Sequence, residues 1–450
     1  MTSPDLLAGS HCSLTGAALL LILAVLAGGG GSGHAVAEIA IELASIAVAA
    51  WLLASPLPMR GRGALVPLAL LAAWAGLAAL QLVPLPAPVW RAMPGRELAA
   101  AIADHVGAGQ AAHPLSLDPA ATRRALAALL PAAAMLLAVA HMDLRERLAL
   151  SAVAIGCALA SLLLGVMQLL SAGQWGTLYP EGHLGYATGL FANRNHQASF
   201  LLVAVALACT FAARKASGSI LALLLMASLA AGVIATTSRA GLLLLPVSLL
   251  PLAASIPARR LRWLAVLPLV AAGAYALAMN NAMVRIVMDR IRNGNMERLS
   301  FWQDSGTAIA RFWPFGSGYG TFAGVFQTVE PLEHVGTHYV NHAHNDLLEI
   351  MLEGGMPATL LFAAGIAWWL RRGVSALRET GSARRLGIAA WTGILVLLLH
   401  SLVDYPVRML PVELVAAMLA GFLVPPAPPA QPARRRLGPR HSSIQQATVR

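Results

Sequence analysis

The sequence predicts an all-α integral membrane protein, with about twelve transmembrane helices and a large loop segment on one face. Three observations predict it. Of 450 residues, 58% are hydrophobic and only 11% charged, against roughly 25% charged in soluble domains. The apolar residues come in runs near the roughly 20 residues that cross about 30 Å of hydrocarbon. The basic residues fall in alternate loops between those runs. A soluble enzyme, a disordered chain and a fibrous repeat are excluded together.

The runs lie at about 15–31, 35–54, 64–83, 125–141, 148–170, 197–213, 218–235, 240–255, 262–279, 355–371, 386–403 and 409–424. With a cytoplasmic N-terminus, nineteen of the 31 basic residues fall in inner loops and the C-terminal tail. Both termini are therefore expected in the cytoplasm. Nine more basic residues lie in two long outer segments, about 84–124 and 280–354, where the rule has little force. Arg194, Arg239 and Arg408 alone occupy short outer loops. The net charge of +11 thus reads as topology, with no nucleic-acid partner. Residues 1–424 form one transmembrane unit, and 425–450, rich in Pro and Arg, a disordered cytoplasmic tail near anionic lipid. Cys12, Cys157 and Cys209 have no close spacing, which argues against a disulfide framework or a metal knuckle.

The outer segment 84–124 opens on Pro84-Leu85-Pro86-Ala87-Pro88 and reads as a structural cap with a short amphipathic helix. The segment 280–354 gathers the aromatic, His and Gly residues that the rest of the chain lacks, and long loops over rigid bundles tend to carry function. Within it, NMERLSFWQDSGTAIARFWPFG predicts an amphipathic helix ended by a Gly-Ser-Gly-Tyr-Gly turn at 316–320. No strand precedes that turn, so it is not a nucleotide-binding loop.

The densest polar cluster is His338-Tyr339-Val340-Asn341-His342-Ala343-His344-Asn345-Asp346. Imidazole and carboxylate could ligate zinc, but the i, i+4, i+6 spacing of His338, His342 and His344 fits no common closed site. A histidine near its ordinary pKa of about 6.5 can instead act as general base toward a hydroxyl; a plain capping role is the third alternative. Arg194 in FANRNHQ, Arg239 in ATTSRAG and Arg298 in MERLSFW are guanidinium groups near the membrane. Such groups cost about 2.5–3.5 kcal/mol at membrane depth unless paired or functional. Their forks match phosphate oxygens, which points to an anionic lipid-linked substrate such as a polyprenyl diphosphate. The bland alternative pairs each with Asp304, Glu330, Glu349 or Asp404. Asp404, in a short outer turn with Tyr405 and Pro406, is expected to be structural or to orient an arginine.

FANRNHQASF, TTSRAG, RLSFWQD, WPFGSGYGTF, HAHNDLLEIMLEGGMP and HSLVDYP, in that order over about residues 80–425, resemble the O-antigen ligase and polymerase superfamily. The resemblance implies a bacterial inner-membrane glycosyltransferase working on the periplasmic face. It would move a glycan from an undecaprenyl-diphosphate carrier to an acceptor, with no metal and no cofactor. The family's essential histidine matches His344, followed by Asn345 and, some ten residues on, by Gly355. Its two arginines match Arg239 and Arg298, with Arg194 as a third, and His342, Asn345, Asp346 and Asp404 are the expected supporting residues. Ala358 departs from the Gly, Thr or Tyr that ligases favour three residues beyond the glycine, which leaves the subtype open. The expected mechanism is inverting, with His344 as base and the arginines holding the diphosphate. The acceptor is lipid A–core in a ligase, or a second lipid-linked repeat in a polymerase. A transporter is the reading from another class, and the concentration of charge outside the apolar runs speaks against it.

Overall fold

A computed structural model of the chain describes residues 3–30, 35–54, 62–179, 182–183, 185–212, 216–254, 296–335 and 339–425. The expected run at 262–279, His338 and the tail beyond residue 425 lie outside the described residues. What is described is an all-α polytopic membrane protein, its β-structure reduced to Pro84–Leu85 (β1) paired antiparallel with His113–Pro114 (β2). Among the described residues, six stretches are long and apolar enough to cross a membrane: Ser13–Gly30, Ala35–Ala54, Pro119–His141, Leu144–Leu170, Asp346–Arg378 and Gly381–Ser401. Four apolar helices are shorter: Leu65–Gln81, Ile220–Ala235, Arg239–Ala253 and Leu410–Phe422. The count of twelve full spans is therefore not what the described residues show. One physical reason is visible at 240–255, where Pro246 and Pro251 interrupt the ladder and divide the run into Arg239–Ser248 and Leu250–Ala253.

The N-terminal helices are α1 (Ser3–Ala27), α2 (Ala35–Ala54) and α3 (Leu65–Gln81). Two short helices follow, α4 (Ala87–Arg91) and α5 (Glu97–His105); then come α6 (Pro119–Ala127), α7 (Leu129–His141) and α8 (Leu144–Leu170). Asp118 caps α6 and Asp143 closes a capping box with Glu146 at the start of α8, as acids at a helix N-terminus should. α9 (Arg194–Ala208) is buried along every residue from His196 to Ala208. A helix apolar on all sides belongs in the middle of a bundle, and α9 packs against α8, α10 (Ala216–Ala235), α11 (Arg239–Ser248) and α16 (Gly381–Ser401). The remaining helices are α12 (Leu250–Ala253), α13 (Met296–Phe312), α14 (Phe322–Phe326), α15 (Asp346–Arg378) and α17 (Leu410–Phe422). The outward faces of α1, α2 and α10 carry exposed Leu19, Leu43 and Leu224, which suit lipid.

With lipid outside, helices gain little from simple apolar burial and are held by close packing and by satisfying their ends. α7 and α17 touch at Gly421, where a Cβ would lie 2.6 Å from Val139 Cγ1. At that same end Arg147, 1% exposed, donates to the carbonyls of Val139, Gly421 and Val424 at 3.2, 3.3 and 2.5 Å. These carbonyls lie at the C-terminal ends of α7 and α17, where intrahelical donors run short. Arg147 is therefore a structural clamp as well as one of the inner-loop cations expected from the sequence.

At the other end, α15 breaks. Gly355 has φ +60° and ψ −152°, a region open essentially to glycine alone, and Pro357 starts the second half. The break strands carbonyls, and the turn after α13 takes them: Ser317 N donates to Leu352 O and Gly318 N to Glu353 O, both at 2.9 Å. Gln81 of α3 also donates to Glu353 O (2.9 Å), and Met356 N donates to Pro314 O (2.8 Å). Arg96, 1% exposed and lowered by burial to a pKa of about 10, joins the two loop segments by donating to Leu115 O (2.7 Å) and Gly316 O (3.1 Å). The Gly-rich turn is thus the plug of a broken helix. Gly355→Ala would place a Cβ 2.2 Å from Pro314 O in a backbone conformation that alanine adopts poorly. A loss of at least about 1–3 kcal/mol is expected, checked by thermal unfolding of the purified protein in detergent.

Candidate functional site

The first half of α15 projects its N-terminus into the loop end of the bundle, and the residues that cap it form the site. Asn345 is the N-cap: its Oδ1 accepts from Leu347 N (3.0 Å) and Leu348 N (3.3 Å), while its Nδ2 donates to Leu402 O (3.1 Å). Its neighbour His344 has φ +49°, a left-handed backbone that is strained for a non-glycine residue. The flanks hold it there. Trp302 of α13 donates to Ala343 O at 3.1 Å, and Ala343 N donates to Glu349 Oε1 at 2.8 Å.

This conformation sets His344 Nδ1 at 3.1 Å from Asp404 Oδ1. Asp404 is fully buried and also accepts from Asn195 Nδ2 (2.5 Å) and Tyr405 N (3.0 Å). Burial alone would raise its pKa, but the bond from His344 and the fields of neighbouring histidines outweigh it and hold the carboxyl well below the usual range. An ionised carboxylate only accepts. The proton between them therefore sits on Nδ1, and Nε2 of a neutral ring is left as the basic nitrogen. Asp404, expected to be structural or to orient an arginine, has its oxygens bonded to a histidine and an asparagine.

Arg298 of α13 donates to Val403 O at 2.7 Å, one residue before Asp404. Arg194 starts α9 next to Asn195; it donates to Thr237 Oγ1 (3.1 Å) and its guanidinium lies 4.1 Å from the centre of the Tyr186 ring. Thr237 has φ +52° and leads through the N-cap Ser238 into Arg239 at the start of α11. The structure thus brings the Arg194 and Arg239 turns together and sets Arg298 against the loop that carries Asp404.

His342 repeats the histidine–carboxylate pattern. Its Nδ1 lies 3.1 Å from Glu349 Oε2, and its ring centre is 4.0 Å from that of Tyr405. The Tyr405 ring also lies 5.1 Å from His344 and 4.9 Å from His196, so three imidazoles surround one phenol. Burial pushes the Tyr405 hydroxyl above its ordinary pKa, which keeps it a donor. Asp346, expected as a supporting group, pairs with Arg408 at 3.2 Å; Glu349 and Glu353 meet the same guanidinium at 3.0 and 3.3 Å. Of the acids weighed as partners for Arg194, Arg239 and Arg298, Glu349 meets Arg408 and Asp304 meets His334 at 2.7 Å.

The cluster on Arg408 and the position of His196 were not read from the sequence. The signal was available for the acids, because 346, 349 and 353 share one helical face. For His196 no local pattern distinguishes it from a packing residue of α9.

Residues 221–363 match the model of a family described as O-antigen ligase. That stretch carries Arg239, Arg298, His342 and His344, whereas Arg194, Asp404 and Arg408 lie outside it. No curated protein matches the chain.

Arg408 faces three carboxylates, and removing it leaves them uncompensated. Arg408→Ala is expected to cost about 3–5 kcal/mol, the range for breaking a buried ion pair, and to appear as a lowered unfolding temperature.

Proposed function

We propose that this chain, which belongs to the O-antigen ligase superfamily, transfers a glycan from undecaprenyl diphosphate to an acceptor sugar hydroxyl on the periplasmic face of the bacterial inner membrane. The observation that supports it best is the His344–Asp404 pair at 3.1 Å, set among Arg194, Arg239 and Arg298 on the loop end of the bundle. The orientation rests on the basic inner loops, which put both termini in the cytoplasm. One catalytic unit, residues 1–424, carries the reaction, and 425–450 serve as a cytoplasmic tail.

In this reading His344 Nε2 removes the proton from the acceptor hydroxyl as its oxygen attacks the anomeric carbon. The bond from that carbon to the diphosphate oxygen breaks on the opposite face, and the configuration inverts. Asp404 holds the imidazole in the tautomer that leaves Nε2 basic and offsets the imidazolium that forms. Arg239, Arg298 and Arg194 bind the diphosphate and stabilise the charge that builds on it. The phosphate-activated sugar supplies the driving force, so no metal or cofactor enters the scheme.

His344→Ala is expected to lower transfer from a defined undecaprenyl-diphosphate-linked donor by about 10²–10⁴-fold, the span of a general base; a variant with the normal rate removes His344 from that role. Asp404→Asn should lower kcat, with donor KM changed far less, because a carboxamide can present its N–H to the ring and favour the wrong tautomer. The acceptor is read from lipopolysaccharide banding in a deletion strain. Core without O-chain, with accumulated lipid-linked polymer, identifies a ligase using lipid A–core; core bearing a single repeat identifies a polymerase using a second lipid-linked repeat.

A further inference from the structure

The carboxylate behind the base has two oxygens, and only one of them serves His344. Asp404 Oδ1 accepts from His344 Nδ1 (3.1 Å) and from Tyr405 N (3.0 Å), whereas Oδ2 accepts from Asn195 Nδ2 at 2.5 Å. A carboxylate only accepts, so the amide has to turn its nitrogen toward it. Asp404 is fully buried, where an anionic oxygen left without a donor is costly. Without the amide, the carboxyl would gain by swinging Oδ2 toward its remaining donors, and that takes Oδ1 off the line to Nδ1.

Asn195 is itself held in place. Its backbone N–H donates to Asn193 Oδ1 (2.8 Å), and its carbonyl accepts from Ser199 Oγ (3.1 Å). Ser199 has one hydroxyl proton, given to that carbonyl, so its 2.7 Å contact with His400 Nδ1 is a bond donated by the ring. The carbonyl of His400 in turn accepts from Asp404 N (2.9 Å). Asn195, Asp404, His400 and Ser199 thus close a ring of hydrogen bonds between the start of α9 and the end of α16, and all but Asn195 are fully buried. A closed network of buried polar groups favours one geometry over others. The same turn of α9 also serves the arginine cluster, because Arg194, one residue earlier, donates to Thr237 Oγ1 and lies over the Tyr186 ring.

We propose that Asn195 is a positioning residue for the transfer: it fixes Asp404 so that His344 keeps its proton on Nδ1, and it holds that pair in register with Arg194. The proposal rests on the glycosyl-transfer reading above. Asn195 touches no reacting atom and acts only through Asp404.

The test takes the full chain in lipid nanodiscs through two measurements. The first is magic-angle-spinning nitrogen NMR of histidine-labelled protein, with the His344 signals identified by their loss in His344→Gln. The wild type is expected to hold His344 as the Nδ1–H tautomer. Asn195→Leu, which keeps the shape of the side chain without its donor, should give a mixture of tautomers. The second is transfer from an undecaprenyl-diphosphate-linked donor: Asn195→Leu should lower kcat about tenfold or more, as for a hydrogen bond to a charged group, with donor KM within about twofold. In an Asp404→Ala background the same substitution should lower kcat by less than about twofold, since residues acting through one contact are not additive. Asn195→Ser, whose hydroxyl stops short of Asp404 but leaves the helix start polar, should repeat the pattern. An unchanged tautomer in both variants, a loss confined to donor KM, or an undiminished loss in the Asp404→Ala background overturns the proposal. Absent transfer by the wild type with the tautomer change intact overturns the transfer reading alone, and transfer at the normal rate in both variants overturns the role of Asn195 alone.

Discussion

The break in α15 is the constraint on which the loop end of this protein depends. A helix stopped at Gly355 leaves the carbonyls of Leu352 and Glu353 without partners at the edge of the hydrocarbon, where an unpaired carbonyl is expensive. The turn after α13 and Gln81 of α3 satisfy them, and Arg96 fastens that turn to the other loop segment. One requirement of backbone chemistry therefore ties α3, α13, α15 and both loop segments into a single body. Everything that positions His344 hangs from it.

The short half-helix ahead of the break works in two directions. Its N-terminus needs a cap, and Asn345 supplies one while anchoring the loop to Leu402. That cap, together with the ties on Ala343, holds His344 in a left-handed conformation whose gain is the contact with Asp404. Its inner face carries three acids that would be untenable without Arg408. The half-helix thus links the His344–Asp404 pair to the carboxylates around Arg408.

Much of this was legible along the chain. The positions of α2, α3, α8, α16 and α17 follow the apolar runs closely, because a bilayer demands length and apolarity and little else. The helix at 296–312 and the turn at 316–320 were signalled by amphipathic spacing and glycine. The polar cluster around His344 stood out because charged and aromatic residues are scarce elsewhere. Less legible were the run at 240–255, which two prolines divide, and the purpose of the Gly-rich turn, which is to plug the break at Gly355.

By itself the sequence determined the membrane class, the placement of most helices, the face that carries the polar loops, and the short set of residues able to do chemistry, since each depends on local composition and periodicity. Only the tertiary structure decided who partners whom. It gave Asp404 to His344 across sixty residues and Arg408 to the acids of α15. Such pairings depend on which helix ends the bundle brings together, and that is fixed by packing and by the satisfaction of buried polar groups across elements distant in the chain.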